Sequence, residues 1–146
     1  MRALLKTATE DNAIIYNEEI VTVKLDTKHR SDFVRHFIGE SCLLEFVPLN
    51  AERTLFMGLD ENGLAKGLPF NFFIQLNNPF FKEDGPSPSR VDVIAGNVVF
   101  VRVKDCNSCE MENITDEDYK EIMQLLHPLN QKRLCDTYNA ILNMYC

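Results

Sequence analysis

The sequence predicts an α+β fold: a mostly antiparallel sheet with one packed helix and a C-terminal helical hairpin. Three patterns indicate this class: an alternating apolar strand at residues 20–25, two almost wholly apolar strands around residue 96, and two amphipathic helices after residue 114. The 146 residues, 45% of them hydrophobic, suit one compact domain. We expect residues 1–113 to form the α+β core and residues 114–146 to form the hairpin, packed on the same domain.

The first half of the chain contains four predicted strands and one helix. The strands lie at residues 2–6, 20–25, 43–47 and 55–59. The helix is predicted over residues 28–38, with an N-cap at Asp26 and Thr27 and with Gly39 as a left-handed residue at its C-terminus.

The densest turn signals lie between residues 60 and 71, and we expect the domain to be built around them. Asp60-Glu61-Asn62-Gly63 forms a turn after the fourth strand. Gly63 and Gly67 are predicted to have positive φ, because only glycine takes such angles without steric cost.

In the second half of the chain, Gly96-Asn97 predicts a type II′ hairpin between strands at residues 91–95 and 98–103. Both strands are apolar on both sides, which is typical of central strands covered on two faces. Thr115 and Asp118 predict a capping box at the start of one helix, whose buried stripe would include Tyr119 and Ile122. A final helix is predicted over residues 130–145.

The candidate ligand-binding residues come from the turn region and from the basic side of the first helix. Asn71 offers a donor and an acceptor together, and Lys66 could contact an anion. Residues seven apart stack on a helix, so the 28–38 helix would carry a basic strip. The competing interpretations are that Asn71 binds its own loop backbone and that the lysine and the strip face solvent. The ligand set is Lys66, Gly67, Pro69, Asn71, Lys28 and Arg35, and His29 and His36 complete the strip.

Phe80 and Phe81 are the candidate partner-binding residues. They lie in residues 77–90, where three prolines, one glycine and two serines exclude a regular element. A long loop of this kind is often functional. Two phenylalanine side chains in it are expected to be buried, either in the core of this protein or against the surface of a partner.

The formal charge of −7 argues against a surface that attracts nucleic acid as a whole, so we expect no direct nucleic-acid binding. No apolar run is long enough to span a bilayer and no signal peptide is evident, so we expect a cytoplasmic protein without a membrane contact. The five cysteines are expected to be reduced thiols.

Cys106 and Cys109 form one Cys-x-x-Cys motif, a weak signal on its own because a structural zinc site needs four ligands. Cys135, Cys146 or His127 could complete a set only if the last helix folded back over this segment. The spacing of the three histidines matches neither a zinc-enzyme pair nor a Ser-His-Asp arrangement. We therefore expect no metal and no cofactor.

A series of segments resembles the uncharacterised family called domain of unknown function 3846, found in phages, plasmids and their bacterial hosts. The resemblance covers residues 1–120 and implies a phage or mobile-element setting, but the family has no agreed activity to transfer. The loop at 77–90 is longer than the family pattern, and the last helix is an extension. The segments are residues 20–25, Phe37-Ile38-Gly39, residues 42–47, residues 59–64, Gly67-Leu68-Pro69-Phe70-Asn71, residues 94–101 and residues 114–118.

Together these features predict a small non-enzymatic binding protein of phage or mobile-element origin. It would act as a counter-defence protein that inhibits a host immune protein or sequesters a nucleotide signal. One alternative is a structural or regulatory subunit of a phage or plasmid complex, with a homo-oligomer formed through the last helix. Another is a zinc- or thiol-dependent enzyme that uses Cys106 and Cys109.

Overall fold

A six-stranded antiparallel sheet and a two-stranded antiparallel sheet form the framework of the protein. A computed structural model describes residues 1–8, 20–75, 79–80 and 91–144. The strands are β1 (Arg2–Lys6), β2 (Ile20–Lys24), β3 (Leu44–Pro48), β4 (Leu55–Asp60), β5 (Phe70–Gln75), β6 (Val91–Ala95), β7 (Val98–Val103) and β8 (Met111–Glu112), and the helices are α1 (Arg30–Ile38), α2 (Asp116–Leu125) and α3 (Pro128–Met144). The predicted α+β class is confirmed.

Strand β7 lies at the centre of the large sheet, whose order is β2-β1-β7-β4-β3, with β8 also pairing with β7. Leu4 of β1 and Met57 of β4 are both register partners of Phe100. Five of the six β7 residues are buried, Arg102 being the exception. The prediction of a central strand with two covered faces is confirmed for β7 and is wrong for the strand at residues 91–95, which lies in the two-stranded sheet with β5.

The predicted hairpin between residues 91–95 and 98–103 is wrong. β6 pairs with β5 to form the small sheet, whereas β7 pairs with β1, β4 and β8. Gly96 has a φ of 82° and its N–H donates to the carbonyl of Pro69 at 2.8 Å. Gly96 and Asn97 therefore connect β6 of the small sheet to β7 of the large sheet, and we call this connection the crossing. The sequence signal that predicted a hairpin turn belongs to this connection between the sheets.

Apolar side chains divide the molecule into layers. One face of the large sheet packs on α1, and its other face packs on the small sheet and on α2. The small sheet in turn packs on α3 through Phe73, Val91 and Leu134. The layer under α1 contains Ala3, Phe33, Val34, Phe56, Val99, Val101, Val103 and Met111.

Helix α1 begins two residues later than predicted, and neither Asp26 nor Thr27 caps it. His29 is the N-cap, and its Nδ1 accepts the N–H of Ser31 at 3.3 Å. The reason lies in the neighbouring strand segment. The carbonyl of Lys28 accepts the N–H of Met111 at 2.7 Å, and His29 forms a β-bridge with Glu110, so both residues are held in extended conformation.

Helix α2 starts with the predicted capping box: the Thr115 hydroxyl accepts the N–H of Asp118, and the Asp118 carboxylate accepts the N–H of Thr115, both at 3.0 Å. Its buried stripe differs from the predicted one. Tyr119 is exposed, whereas Asp118, Ile122 and Leu125 are buried. The stripe is rotated because Asp118 faces the sheet and binds Arg102.

Helix α3 begins at Pro128 and is attached to β5 by the side chain of Gln131. The Gln131 Oε1 accepts the N–H of Phe73 at 2.8 Å, and its Nε2 donates to the carbonyl of Phe73 at 3.0 Å and to that of Leu125 at 2.9 Å. The amide group of a buried side chain thus pairs with the outer edge of β5 as a neighbouring strand would. The final helix was predicted to extend to residue 145, which lies outside the described residues.

A buried ion pair joins the large sheet to α2. The Arg102 guanidinium donates to both carboxylate oxygens of Asp118, at 2.7 and 2.6 Å, and to the hydroxyl of Thr54 at 3.1 Å. The side chains are 21% exposed for Arg102 and 4% for Asp118. Burial alone would raise the pKa of Asp118, but the bonds from Arg102 and Thr115 overcome burial and lower that pKa.

We expect Asp118→Ala to lower the free energy of unfolding by about 3 kcal/mol, because it leaves the guanidinium of Arg102 without its partner and removes half of the capping box. Urea unfolding at neutral pH measures the loss. Asp116→Ala is the matched control: Asp116 is exposed in the same first turn and contributes less than about 1 kcal/mol through the helix dipole.

The pH dependence follows from the direction of the Asp118 pKa. A carboxylate whose folded-state pKa lies below its unfolded value of about 3.9 contributes fully above that value and loses its contribution as the pH falls through the folded pKa. The difference in stability between wild type and Asp118→Ala should therefore be constant around neutrality and shrink in acid. Two results would contradict the stabilising role of Asp118. One is an equal loss of stability in Asp118→Ala and Asp116→Ala, and the other is a difference between wild type and Asp118→Ala that grows in acid.

Candidate functional site

The turn region singled out in the sequence is a single helical turn with a cap at each end, and we call residues 60–68 the capped turn. At its start, Asp60 Oδ1 accepts the N–H of Asn62 at 3.0 Å, and the Asp60 carbonyl accepts the N–H of Gly63 at 3.1 Å. Within it, the N–H of Lys66 donates to the carbonyl of Asn62 at 2.9 Å.

The end of the capped turn has the hydrogen bonds of a Schellman motif. The N–H of Leu68 donates to the carbonyl of Gly63 at 3.0 Å, and the N–H of Gly67 donates to that of Leu64 at 3.1 Å. Gly67 has a φ of 71°, which confirms its predicted positive φ. The same prediction for Gly63 is wrong. Gly63 is instead required by proximity, because a Cβ there would lie 2.8 Å from the carbonyl oxygen of Ala95.

An ion pair closes the capped turn on itself. The Nζ of Lys66 lies 2.6 Å from Asp60 Oδ2, and the side chains are 47% and 6% exposed, respectively. The hydrogen bond from Lys66 is the largest cause of a lowered pKa at Asp60; burial opposes it and the N–H of Asn62 adds to it. Lys66 thus neutralises a buried carboxylate of its own turn, whereas the sequence had suggested an external anion.

Asn71 lies inside the protein, next to the crossing between the sheets. Its Nδ2 donates to the carbonyl of Lys6 at 3.1 Å and to that of Gly96 at 2.8 Å, while its buried Oδ1 has no hydrogen-bond partner among the described residues. Asn71 therefore ties β5 to the end of β1 and to the crossing. The competing interpretation, that Asn71 binds its own loop backbone, is right in that the partners are backbone carbonyls and wrong in that they belong to two distant segments. Pro69, like Gly67, contributes to the backbone that leads into β5, and its carbonyl accepts the N–H of Gly96.

The predicted basic strip on α1 is not assembled. Lys28 precedes the helix, so the seven-residue spacing to Arg35 does not place the two side chains on one helical face. Arg35 donates to the carbonyls of Cys42, at 2.8 Å, and Glu40, at 3.4 Å, and so holds the connection between α1 and β3. His29 is used as a cap, and His36 is exposed.

Arg35 and Lys66, two of the six predicted ligand residues, are both close enough to Cys42 for their charges to influence the pKa of its thiol. Burial is the main cause of the raised pKa of Cys42; Asp60 raises it further, while the charges of Arg35 and Lys66 lower it. The thiol is buried and donates to the carbonyl of Gly39 at 3.0 Å. The capped turn and the C-terminal end of α1 are therefore neighbours.

The predicted partner-binding residues are placed only in part. Phe80 is partly buried and packs against the core cluster between the two sheets, the cluster that contains Phe72 and Ile74. Phe81 and the remainder of the 77–90 loop, apart from residues 79 and 80, lie outside the described residues. The described half of this pair therefore contributes to the core.

A separate open groove of about 560 Å³ lies at the edge of the large sheet and is lined by Met1, Arg2, Lys24, Leu25, Asp26 and Asn113. Its polar groups are bonded to one another: the N–H of Arg2 donates to Asn113 Oδ1 at 2.8 Å, and the Met1 ammonium donates to the Leu25 carbonyl at 2.8 Å. None of the candidate ligand-binding or partner-binding residues that the structure describes lines this groove.

Sequence reasoning missed a group of exposed leucines. They lie at the end of the β3–β4 pair where β3 begins and β4 ends. Leu64 is 65% exposed in the capped turn, Leu68 is partly exposed, and Leu43 is exposed where its carbonyl accepts the N–H of Glu61 at 2.9 Å. The available signal was the position of Leu64, an apolar residue directly after four turn-forming residues.

Within the described residues, no group of three or more His, Cys, Asp or Glu side chains is arranged to hold a metal ion. Cys106 and Cys109 are exposed, and Cys135 is partly exposed on α3. No protein-family model matches the chain, and no similar curated protein or solved structure was found. The resemblance to the phage and plasmid family stays a prediction.

We expect Lys66→Met to raise the pKa of Asp60, because it removes the hydrogen bond that contributes most to lowering that pKa. An NMR titration of the side-chain carboxyl carbons measures the change. Lys104→Met is the control: it removes the exposed ion pair with Glu110 and should raise the pKa of Glu110 while leaving that of Asp60 unchanged. An Asp60 pKa that stays the same in Lys66→Met would show that the ion pair is not maintained in solution.

The two glycines of the capped turn should respond differently to alanine. Gly67→Ala meets no atom within 4 Å and should cost about 1 kcal/mol from its positive φ alone. Gly63→Ala drives a Cβ against backbone and should cost more, up to about 3 kcal/mol. Thermal and urea unfolding of both variants measure the order, and a larger loss in Gly67→Ala would contradict the close packing of the turn on β6.

Proposed function

We propose that this chain is a non-enzymatic binding protein that contacts another protein through the outer surface of the capped turn. The observation that carries the proposal is an exposed leucine on a rigid support. Leu64 projects 65% of its side-chain surface into solvent from a turn that is fixed by caps at both ends and by the Lys66–Asp60 ion pair.

Rigidity makes this leucine suitable for recognition. Binding is weakened by the entropy lost when a loop becomes ordered, and a turn that is already ordered in the free protein avoids that loss. Leu43, just before β3, and the partly exposed Leu68, at the end of the capped turn, are two further exposed leucines at the same end of the sheet. Exposed Glu61 and half-exposed Lys66 lie beside it, in the arrangement of an apolar centre with a polar rim.

The partner that we propose is a host protein. This step rests on the resemblance to a phage and plasmid family, which also supports a counter-defence role and a location in the host cytoplasm. Among the residues that the structure describes, every helix is too short or too polar to span a lipid bilayer.

The contact geometry gives less support to the other versions of the function. For a nucleotide signal, Asn71 and Lys66 would have to give up bonds to buried groups of the protein itself. For a homo-oligomer through the last helix, Leu134 and the partly buried Tyr138 are already used in packing against the small sheet, which leaves the exposed Leu142 and Met144 near the end of that helix.

The test compares two leucine variants in a capture experiment with a host lysate. Leu64→Lys should reduce the amount of specifically captured protein by about thirtyfold, the equivalent of a 2 kcal/mol hot spot. Leu129→Lys is the matched control, since Leu129 is 74% exposed at the start of α3 and lies outside the proposed surface.

Both variants should unfold at the wild-type temperature, because neither leucine belongs to the core. A captured protein that binds wild type, Leu64→Lys and Leu129→Lys equally would overturn the proposed contact. A captured small molecule whose binding is lost in Lys66→Met would instead support the nucleotide version.

A further inference from the structure

The segment between β7 and β8 is a short loop that carries two thiols at its tip. The N–H of Lys104 donates to the carbonyl of Glu110 at 3.0 Å, and the two side chains form an ion pair at 2.9 Å. These contacts hold the ends of the loop together, so that residues 105–109 project from the sheet. Cys106 and Cys109 lie in this projection and are both exposed, in contrast to the buried Cys42.

Backbone hydrogen bonds fold the loop between the two thiols. The N–H of Ser108 donates to the carbonyl of Asp105 at 3.1 Å, so the chain reverses direction between Cys106 and Cys109. The N–H of Arg30, at the start of α1, donates to the carbonyl of Cys109 at 3.0 Å. The backbone of Cys109 is therefore bonded to the start of α1, and Cys106 lies within the turn formed by residues 105–108.

The number of ligands restricts the chemistry. Zinc in a structural site takes four ligands, and the described residues around the loop do not provide even a third His, Cys, Asp or Glu in position. Copper(I) is a cation for which two ligands suffice, and thiolate sulfur is a soft ligand that favours it. The Cys-x-x-Cys spacing places two such ligands three residues apart on one short exposed loop.

We propose that Cys106 and Cys109 form a two-thiolate site for copper(I). Binding breaks two S–H bonds, forms two S–Cu bonds and releases two protons to solvent. Neither sulfur nor copper changes oxidation state. The copper(I)–dithiolate complex carries one net negative charge. Because both cysteines are exposed to solvent, forming the complex does not bury this charge.

The experiment titrates the full-length reduced protein with copper(I) under anaerobic conditions, with bicinchoninate as the competing chelator. Wild type is expected to take one copper(I) per chain from the chelator, and mass spectrometry under non-denaturing conditions should show the one-to-one complex. Cys106→Ser and Cys109→Ser should each weaken binding by about 10²–10⁴-fold, because each removes one of two linked ligands.

Cys135→Ser is the matched control, since Cys135 lies on α3 away from the loop and should leave the affinity unchanged. Circular dichroism melts check that the serine variants fold, as expected for substitutions at exposed positions. The proposal is overturned if wild type competes no better than the double variant Cys106→Ser/Cys109→Ser. It is equally overturned if Cys135→Ser loses as much affinity as Cys106→Ser.

Discussion

Burial of β7 on both faces is the constraint on which the rest of the structure depends. Val99, Val101 and Val103 point to the layer beneath α1, while Val98 and Phe100 point to the layer shared by the small sheet and α2. A strand with two apolar faces has no solvent-tolerant side, so both faces must be covered for the chain to fold. The helix, the second sheet and the C-terminal segment supply that cover.

The polar contacts then position the layers around β7. Arg102, the one partly exposed residue of β7, binds Asp118 and so fixes the start of α2 against the sheet. Asn71 binds the carbonyls of Lys6 and Gly96 where the chain crosses between the sheets. The capped turn fits against β6 because Gly63 has no side chain to meet Ala95. The surface that we propose for partner binding is thus attached directly to the core.

Local signals in the sequence were enough for the fold class, most strand positions and the capping box of α2, because each depends on residues close together in the chain. Signals that are compatible with two different structures were not enough to predict which of the two forms. Gly96-Asn97 suits a hairpin and a crossing equally, and only the bond to Pro69 decides between them. The start of α1 depends on Met111 and Glu110, and the role of Asn71 on Lys6, all distant in sequence. The candidate ligand residues therefore proved to be mostly internal contacts, whereas exposed Leu64 had drawn no attention.

The pairing of Gln131 with Phe73 has a consequence for how the protein behaves at high concentration. The exposed edge of a strand invites a strand from another molecule, which is the first step towards aggregation or strand exchange. At Phe73 both backbone groups are already occupied by a side-chain amide from α3. An incoming chain would have to displace a group with the same hydrogen-bonding capacity, and α3 thereby protects this edge from self-assembly.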